Sequence, residues 1–336
     1  MENDEVLVTW PDYDLDAHGL GGALAEAGLE IRLEPKRGRR DPGEMRAIAA
    51  GAAAAIVSTD PFDAEILDAC PALRVIARVG IGVDSIDLEA ATRCGVAVTV
   101  TPGANEETVA DHTLALMLAA VRRVCEHDAS VRTGSWNRTG AHTPWTLGGS
   151  TVGLVGYGKI GRLVERRLRG FDVDVLIADP AFEDGDPRAV GLDELLREAD
   201  VVSLHVPLVP ETFHLIGAAE LAAMRRDAIL VNTARGGVVD EAALLEALAA
   251  GELRGAALDV FEDEPPRAPE HFDLPNLVLS PHNGGLSVES IEEMTRRATS
   301  SVLDVLSGRR PKHLANPEVA DGGRFGELTP SGTTDG

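Results

Sequence analysis

Three short segments of this chain each end an apolar run with a residue suited to acid–base or carbonyl chemistry. Ile229-Leu230-Val231 runs into Asn232-Thr233-Ala234-Arg235-Gly236-Gly237. Ala256-Ala257-Leu258 runs into Asp259-Val260-Phe261-Glu262-Asp263-Glu264-Pro265, and Val278-Leu279 into Ser280-Pro281-His282-Asn283-Gly284-Gly285. Read as strands followed by loops, they deliver one arginine, one acid and one histidine to the same edge of one sheet. Such a set suits hydride exchange between NAD and a 2-oxo or 2-hydroxy acid. The cation grips a carboxylate and polarises the carbonyl, and the imidazole exchanges the hydroxyl proton. The acid orients that imidazole and raises its pKa. Taken singly, Arg235 reads equally as a surface cation, Glu264 as a solvated acid and His282 as a hydrogen-bonded core residue. Their joint placement on strand ends favours chemistry.

A dinucleotide site has its own signature. Thr151–Val155 is an apolar strand running into Gly156-Tyr157-Gly158-Lys159-Ile160-Gly161, a G-x-G-x-x-G turn. A helix is expected over 162–169 and a second strand over 173–178, ending at Asp179. Gly156 permits the tight turn, Gly158 lets backbone approach a pyrophosphate, and Gly161 lets helix pack on strand. The helix N-terminus offers free N–H groups to the phosphates. Asp179 can accept both hydroxyls of the adenosine ribose and would repel a 2′-phosphate. Pro180 follows it, with no arginine beside it, so the cofactor expected is NAD.

Around these segments the chain alternates strand and helix, which implies parallel sheets covered on both faces. Strands are expected at 6–9, 54–58, 75–78 and 96–100, with helices at 20–27, 43–50, 64–69 and 87–94. One long helix is expected over 106–126. The second block adds strands at 201–205, 228–232, 255–260 and 277–280, then a final helix, Val288–Leu306. The fold class expected is α/β: two Rossmann-like or flavodoxin-like parallel-sheet domains with an inter-domain cleft. Ligands in such sheets sit outside the carboxyl ends of the strands. The polar, glycine-rich residues 317–336 are expected to be a disordered tail.

At 336 residues, two cores are expected. Hydrophobic content is 44% with no apolar run of membrane-spanning length, so no membrane partner is expected. The acidic start, Met1-Glu2-Asn3-Asp4-Glu5, leads into a strand and does not read as a signal peptide. Cys70, Cys94 and Cys125 are widely spaced, fit a reducing cytoplasm, and show no metal-ligand spacing. A net charge of −24 argues against a nucleic-acid partner, which would require a basic face. Lysine occurs only at 36, 159 and 312. A high-salt cytoplasm and an arginine-rich genome explain that equally well.

The chain resembles the D-isomer-specific 2-hydroxyacid dehydrogenase family, and within it most the short D-3-phosphoglycerate dehydrogenases. The likeness spans about residues 50–315. It rests on Arg78-Val79-Gly80-Ile81-Gly82-Val83-Asp84, the glycine turn, His205-Val206-Pro207-Leu208 and the three segments that carry Arg235, Glu264 and His282. It implies those three residues as the catalytic set, with Glu264 preferred over Glu262 because the family's glutamate directly precedes proline. It implies cofactor contacts from Gly156, Gly158, Lys159, Ile160, Gly161, Asp179, Pro180, Val206, Pro207, Thr212, Thr233, Ala234, Arg235, Asp259, His282 and Gly284. Asp259 matches the position that meets the nicotinamide carboxamide. Substrate contacts are implied for Arg78, Val79, Gly80, Ile81 and Gly82, whose loop would hold the carboxylate on backbone N–H groups, and for Arg235 and His282.

The resemblance also implies a dinucleotide domain, 103–285, inserted into a substrate domain made of 1–102 and 286–316, and a homodimer. The expected partner is a small anionic 2-oxo or 2-hydroxy acid. Arg78 is compatible with a phosphate, phosphonate or other anionic tail, and Arg132 or Arg138 with reach to a neighbouring active site. Each also reads as a surface cation. Asn283 and Leu286 depart from the family's usual residues, and no regulatory domain is expected after residue 316. A redox-sensing corepressor of the same fold is the alternative function. Formate dehydrogenase is disfavoured because Glu264 stands where that enzyme has glutamine.

Overall fold

Short runs of Val, Ile and Ala that are buried on both faces become the parallel strands of two sheets. The computed structural model describes residues 4–14, 19–36, 38, 40–140, 143–182, 185–321 and 329–330. The chain forms two compact units, one from the segments up to Asn105 and from Ser287 onward, the other Glu106–Leu286.

The first unit runs β1 (Glu5–Val8), α1 (Leu20–Glu26), β2 (Glu30–Leu33), α2 (Pro42–Ala49), β3 (Ala54–Val57), α3 (Ala64–Ala69), β4 (Val75–Arg78), α4 (Leu88–Arg93) and β5 (Ala97–Thr99). Its parallel sheet has the order β2-β1-β3-β4-β5, the flavodoxin-like arrangement. Asp41, Asp63 and Asp87 each start a helix by accepting a backbone N–H, two or three residues on, that has no partner within the helix. Successive strand residues alternate between faces. Val6, Ile56, Val75 and Ala77 join one core, and Leu7, Val57 and Ile76 join the other with α2, α3 and α4.

The second unit runs α5 (Glu106–Val121), α6 (Val124–Thr133), β6 (Thr151–Val155), α7 (Lys159–Leu168), β7 (Asp174–Ala178), α8 (Leu192–Glu198), β8 (Val201–Leu204), α9 (Ala218–Ala223), β9 (Ile229–Asn232), α10 (Glu241–Ala250), β10 (Gly255–Leu258) and β11 (Leu277–Leu279). The parallel sheet has the order β11-β10-β9-β8-β6-β7. Leu204, Leu230 and Leu258 face the core shared with α8, α9 and α10, while Leu154, Val231 and Ala257 face the core of α5 and α7. A fully buried Val or Leu side chain contributes about 1.5–3 kcal/mol.

The chain then returns to the first unit as α11 (Val288–Leu306), whose Met294, Ala298, Val302 and Val305 complete the core holding Ile56 and Val75. Ser287 caps this helix through Ser290 N. A two-residue pairing of β12 (Arg309–Arg310) with β13 (Thr329–Pro330) follows.

Three expectations are corrected. Strand β2 was not foreseen, because Glu30-Ile31-Arg32-Leu33 forms a half-exposed sheet edge with little apolar character. The helix expected over 106–126 ends at Val121. Arg123 takes a left-handed backbone (φ +54°) and α6 starts after it, a break that no proline or glycine signals. The tail expected from Pro317 begins with a 3-10 helix, Pro317–Asp321, that buries Val319. The buried Asn316 anchors it, accepting from Val98 N at 2.8 Å and donating to Val96 O at 2.9 Å. The remainder of that expected tail, 322–328 and 331–336, lies outside the described residues.

Candidate active site

Strands β6 and β8 are neighbours, and the chain runs from β6 to β7 on one side and from β8 to β9 on the other, so their carboxyl ends form a switch point. The glycine turn occupies this switch point, where nucleotides bind in open α/β sheets. Gly156 has φ +92°, and a Cβ there would stand 2.6 Å from His205 O. A Cβ on Gly161 would stand 2.5 Å from Gly156 O, so the start of α7 is pressed on the turn. At Gly158 a Cβ would meet nothing within 4 Å. That open space, at the N-terminus of a ten-residue helix, fits a pyrophosphate.

Asp179 directly follows β7 and is fixed by two amides, accepting from Tyr157 N at 2.5 Å and Ala181 N at 2.7 Å. Pro180 beside it is exposed. Behind the turn, Tyr157 Oη donates to Glu165 Oε2 at 2.7 Å, and Arg169 and Arg188 also reach Glu165. Burial works to raise the Glu165 pKa, but these donors outweigh it and hold the carboxyl below its usual range. Sequence reasoning missed this support.

The remaining implied cofactor residues lie at the start of α7 and on neighbouring loops of the same unit. Exposed Lys159 pairs with Glu106 at 3.7 Å, and Ile160 is half-buried beside it on α7. Val206 and Pro207 follow β8, and Thr212 closes their loop by donating to Pro207 O at 2.6 Å. Thr233 meets Thr113 of α5 hydroxyl to hydroxyl at 2.8 Å, and Ala234 N donates to Asn232 Oδ1 at 3.0 Å.

Arg235, Glu264 and His282 follow β9, β10 and β11, three adjacent strands. Asn232 Nδ2 donates to Arg235 O at 2.9 Å and fixes the extended backbone at Arg235. A Cβ on Gly236 would fall 2.0 Å from Phe261 O, so the arginine loop lies flat on the loop bearing the glutamates. Glu264 Oε1 accepts from Phe261 N at 3.1 Å and its Oε2 lies 2.5 Å from His282 Nδ1. Glu262 is engaged elsewhere. Its Oε1 accepts from Glu241 N at 3.2 Å and lies 2.9 Å from His214 Nε2, while His214 Nδ1 stands 3.9 Å from Asp240. The geometry therefore pairs Glu264, not Glu262, with His282.

Asp259 is 2% exposed yet accepts from Ser280 Oγ at 2.6 Å, Asn283 N at 3.0 Å and Gly284 N at 2.8 Å. Burial works to raise its pKa, but hydrogen bonds from His112, Ser280 and Gly284 N prevail and lower it. His112 and Ser280 were not singled out from sequence. His112 sits one helical turn after Val109 on the apolar stripe of α5, and a polar residue in that stripe is the signal available. His205, after β8, lies 3.0 Å from Ser203 Oγ, and burial pushes its imidazole down to about 4.

The implied substrate loop belongs to the first unit. Arg78 at the end of β4 folds back, donating to Val79 O, and its guanidinium covers Gly80, which has φ +133°. Gly80 N–H is taken by Thr101 Oγ1 at 2.9 Å, which leaves the exposed Ile81 and the half-buried Gly82 at the outer part of the loop.

Among the described residues no helix is long and apolar enough to cross a membrane. Residues 114–284 match the family "D-isomer specific 2-hydroxyacid dehydrogenase, NAD binding domain". A glyoxylate reductase of Korarchaeum cryptofilum is 44% identical over 271 residues, 78% of this chain and 81% of that protein. One from Thermococcus litoralis is 42% identical over 272 residues, 78% of this chain and 82% of that protein. The crystal structure of TT0316 protein from Thermus thermophilus superposes with a TM-score of 0.83 at 41% identity, covering 93% of this chain and 99% of that one. With a parallel sheet in each unit, a glycine turn shaped for a dinucleotide and these relatives, the chain belongs to the D-isomer-specific 2-hydroxyacid dehydrogenase family and is an NAD-dependent enzyme of that class.

Proposed function

We propose that the chain reduces a small 2-oxo acid, glyoxylate foremost, to its 2-hydroxy acid with NADH. The observation that carries this is the Glu264–His282 hydrogen bond on the strand edge that also presents Arg235. A carboxylate can only accept, so Nδ1 of His282 carries hydrogen and Nε2 faces the substrate. In the direction of reduction, His282 gives the Nε2 proton to the substrate oxygen while Glu264 orients the imidazole through Nδ1. Arg235 binds the carboxylate and draws charge onto the carbonyl oxygen. The bound nicotinamide supplies the hydride to the carbonyl carbon. Gly158 and the first N–H groups of α7 would hold the pyrophosphate, Asp179 the ribose hydroxyls, and Asp259 the carboxamide. Ile81 and Gly82 offer N–H groups to the substrate carboxylate.

Relatives named glyoxylate reductase support a short substrate. A phosphate-bearing acid, the phosphoglycerate-like option, has Arg78 as its receptor, and Arg78 here folds onto its own loop. We further propose a homodimer: Val124 and Val131 on α6 and the following Trp136 are 52%, 59% and 64% exposed, an apolar face suited to a second copy. As thiols rather than disulfides, Cys70, Cys94 and Cys125 fit a cytoplasmic setting.

The test is a steady-state screen of glyoxylate, hydroxypyruvate, pyruvate and a phosphorylated 2-oxo acid with NADH and with NADPH. The highest kcat/KM is expected for glyoxylate or hydroxypyruvate with NADH. A phosphorylated substrate preferred by tenfold would replace the short-acid reading, and no turnover with any would favour the corepressor-like alternative.

A further inference from the structure

Two residues behind Asp259, His112 and Ser280, have no part in that chemistry. His112, on α5, places Nε2 2.9 Å from Ser280 Oγ and 3.4 Å from Asp259 Oδ1. Ser280 has one hydroxyl proton, and the carboxylate oxygen at 2.6 Å, an acceptor only, takes it. Nε2 must then carry hydrogen and donate to Ser280. The donor chain therefore has one direction, from His112 through Ser280 to Asp259.

Asp259 also accepts from main chain. Its carbonyl takes His282 N at 2.7 Å, and its carboxylate takes Asn283 N and Gly284 N. Three successive amides hang on one residue, and the first belongs to a histidine at φ +52°. The packing is tight: a Cβ on Gly284 would stand 2.7 Å from Asp259 Oδ2 and 3.1 Å from His112 Cδ2. A buried carboxylate stays ionised only while such donors are present.

We propose that His112 is a positioning residue. Through Ser280 it keeps Asp259 an ionised acceptor, and Asp259 holds the 282–284 backbone that aims the His282 imidazole. The proposal rests on His282 being the proton carrier.

Two readouts test it. The first is amide hydrogen exchange across residues 280–286 in the cofactor-free chain. His112→Ala is expected to speed exchange at Asn283 and Gly284 by about tenfold or more, the scale of one hydrogen bond to a charged group. The second is steady-state turnover of glyoxylate with NADH, where kcat should fall by about tenfold with the KM for glyoxylate within about twofold. His112→Gln, whose side-chain amide offers a donor near the place of Nε2, should recover both. Ser280→Ala breaks the same chain at its next link and serves if His112→Ala does not fold. The double variant should be no worse than either single one. Unchanged exchange at 283 and 284, a glutamine variant as impaired as alanine, or additive losses would overturn the proposal. Full turnover in His282→Ala would instead overturn the reading beneath it and leave the exchange result standing.

Discussion

Glu264 and His282 lie 18 residues apart in sequence and meet Oε2 to Nδ1 at 2.5 Å, while Glu262, two residues away from Glu264, faces His214. The proline-adjacent glutamate is thus the one committed to the imidazole. His282→Ala should lower kcat by about two to four orders of magnitude, the scale of a lost general acid. Glu264→Gln should cost about tenfold or more through loss of the charge-assisted hydrogen bond that orients the imidazole. Glu262→Gln should leave kcat within about threefold, because its hydrogen bonds serve the loop. Stopped-flow turnover of the three purified variants checks the ranking; equal losses at 262 and 264 would remove the distinction.

The two glycines that open the dinucleotide turn should fail in different ways. Gly156→Ala combines φ +92° with a Cβ 2.6 Å from His205 O, so the folded state suffers and Tm should fall by several degrees. Gly158→Ala meets only open space, so Tm should hold while NADH binding weakens by about tenfold or more. Thermal melts beside NADH titrations separate the cases, and a normal affinity in Gly158→Ala would contradict the placing of the pyrophosphate.

Asp179 should set the preference for NADH over NADPH. Two charges about 4 Å apart at an effective dielectric near 20 interact by about 4 kcal/mol, and one-third of that after screening is about tenfold in affinity. Asp179→Ser should weaken NADH and admit NADPH. Because Asp179 also accepts Tyr157 N, the turn loosens too, and the NADH loss should exceed the NADPH gain. Equal kcat/KM for both cofactors in the parent would refute the assignment.

His205 gives a pH dependence of known sign. Burial lowers its pKa from 6.5 to about 4, so between those values the unfolded chain binds the proton and the folded chain does not. Stability from this group is complete above pH 6.5 and declines as pH falls toward 4, by at most about 3 kcal/mol. His205→Asn lacks this contribution, so its Tm deficit against the parent should shrink as the pH is lowered from 7 to 5. A gap that stays constant, or one that widens as a raised pKa would make it, would contradict the burial of a neutral His205.

Local pattern made much of this molecule legible. Apolar runs such as Ile229-Leu230-Val231 marked strands, and the residues just past the end of a parallel strand lie at the sheet's ligand-binding edge. The glycine spacing at 156, 158 and 161 corresponds to three distinct steric situations in the structure. The features that escaped were long-range or energetically quiet. His112 and Ser280 are separated by 168 residues, and no short window contains both. The break between α5 and α6 depends on one arginine in a left-handed conformation, which the residue type does not announce. By contrast, Glu264 is preferred to Glu262 for the proline that follows it, and the structure adds the side-chain directions that separate the two.

The first sheet is finished by a helix made long after it. Strands β1 to β5 lie before Glu106, but Met294, Ala298, Val302 and Val305 of α11 belong to the core on one of their faces. On the ribosome, the opening hundred residues therefore emerge with Ile56 and Val75 still unshielded, while Glu106–Leu286 can close its own two cores first. The core on that face, although most of it lies in the segment translated first, cannot be completed until α11 has been made.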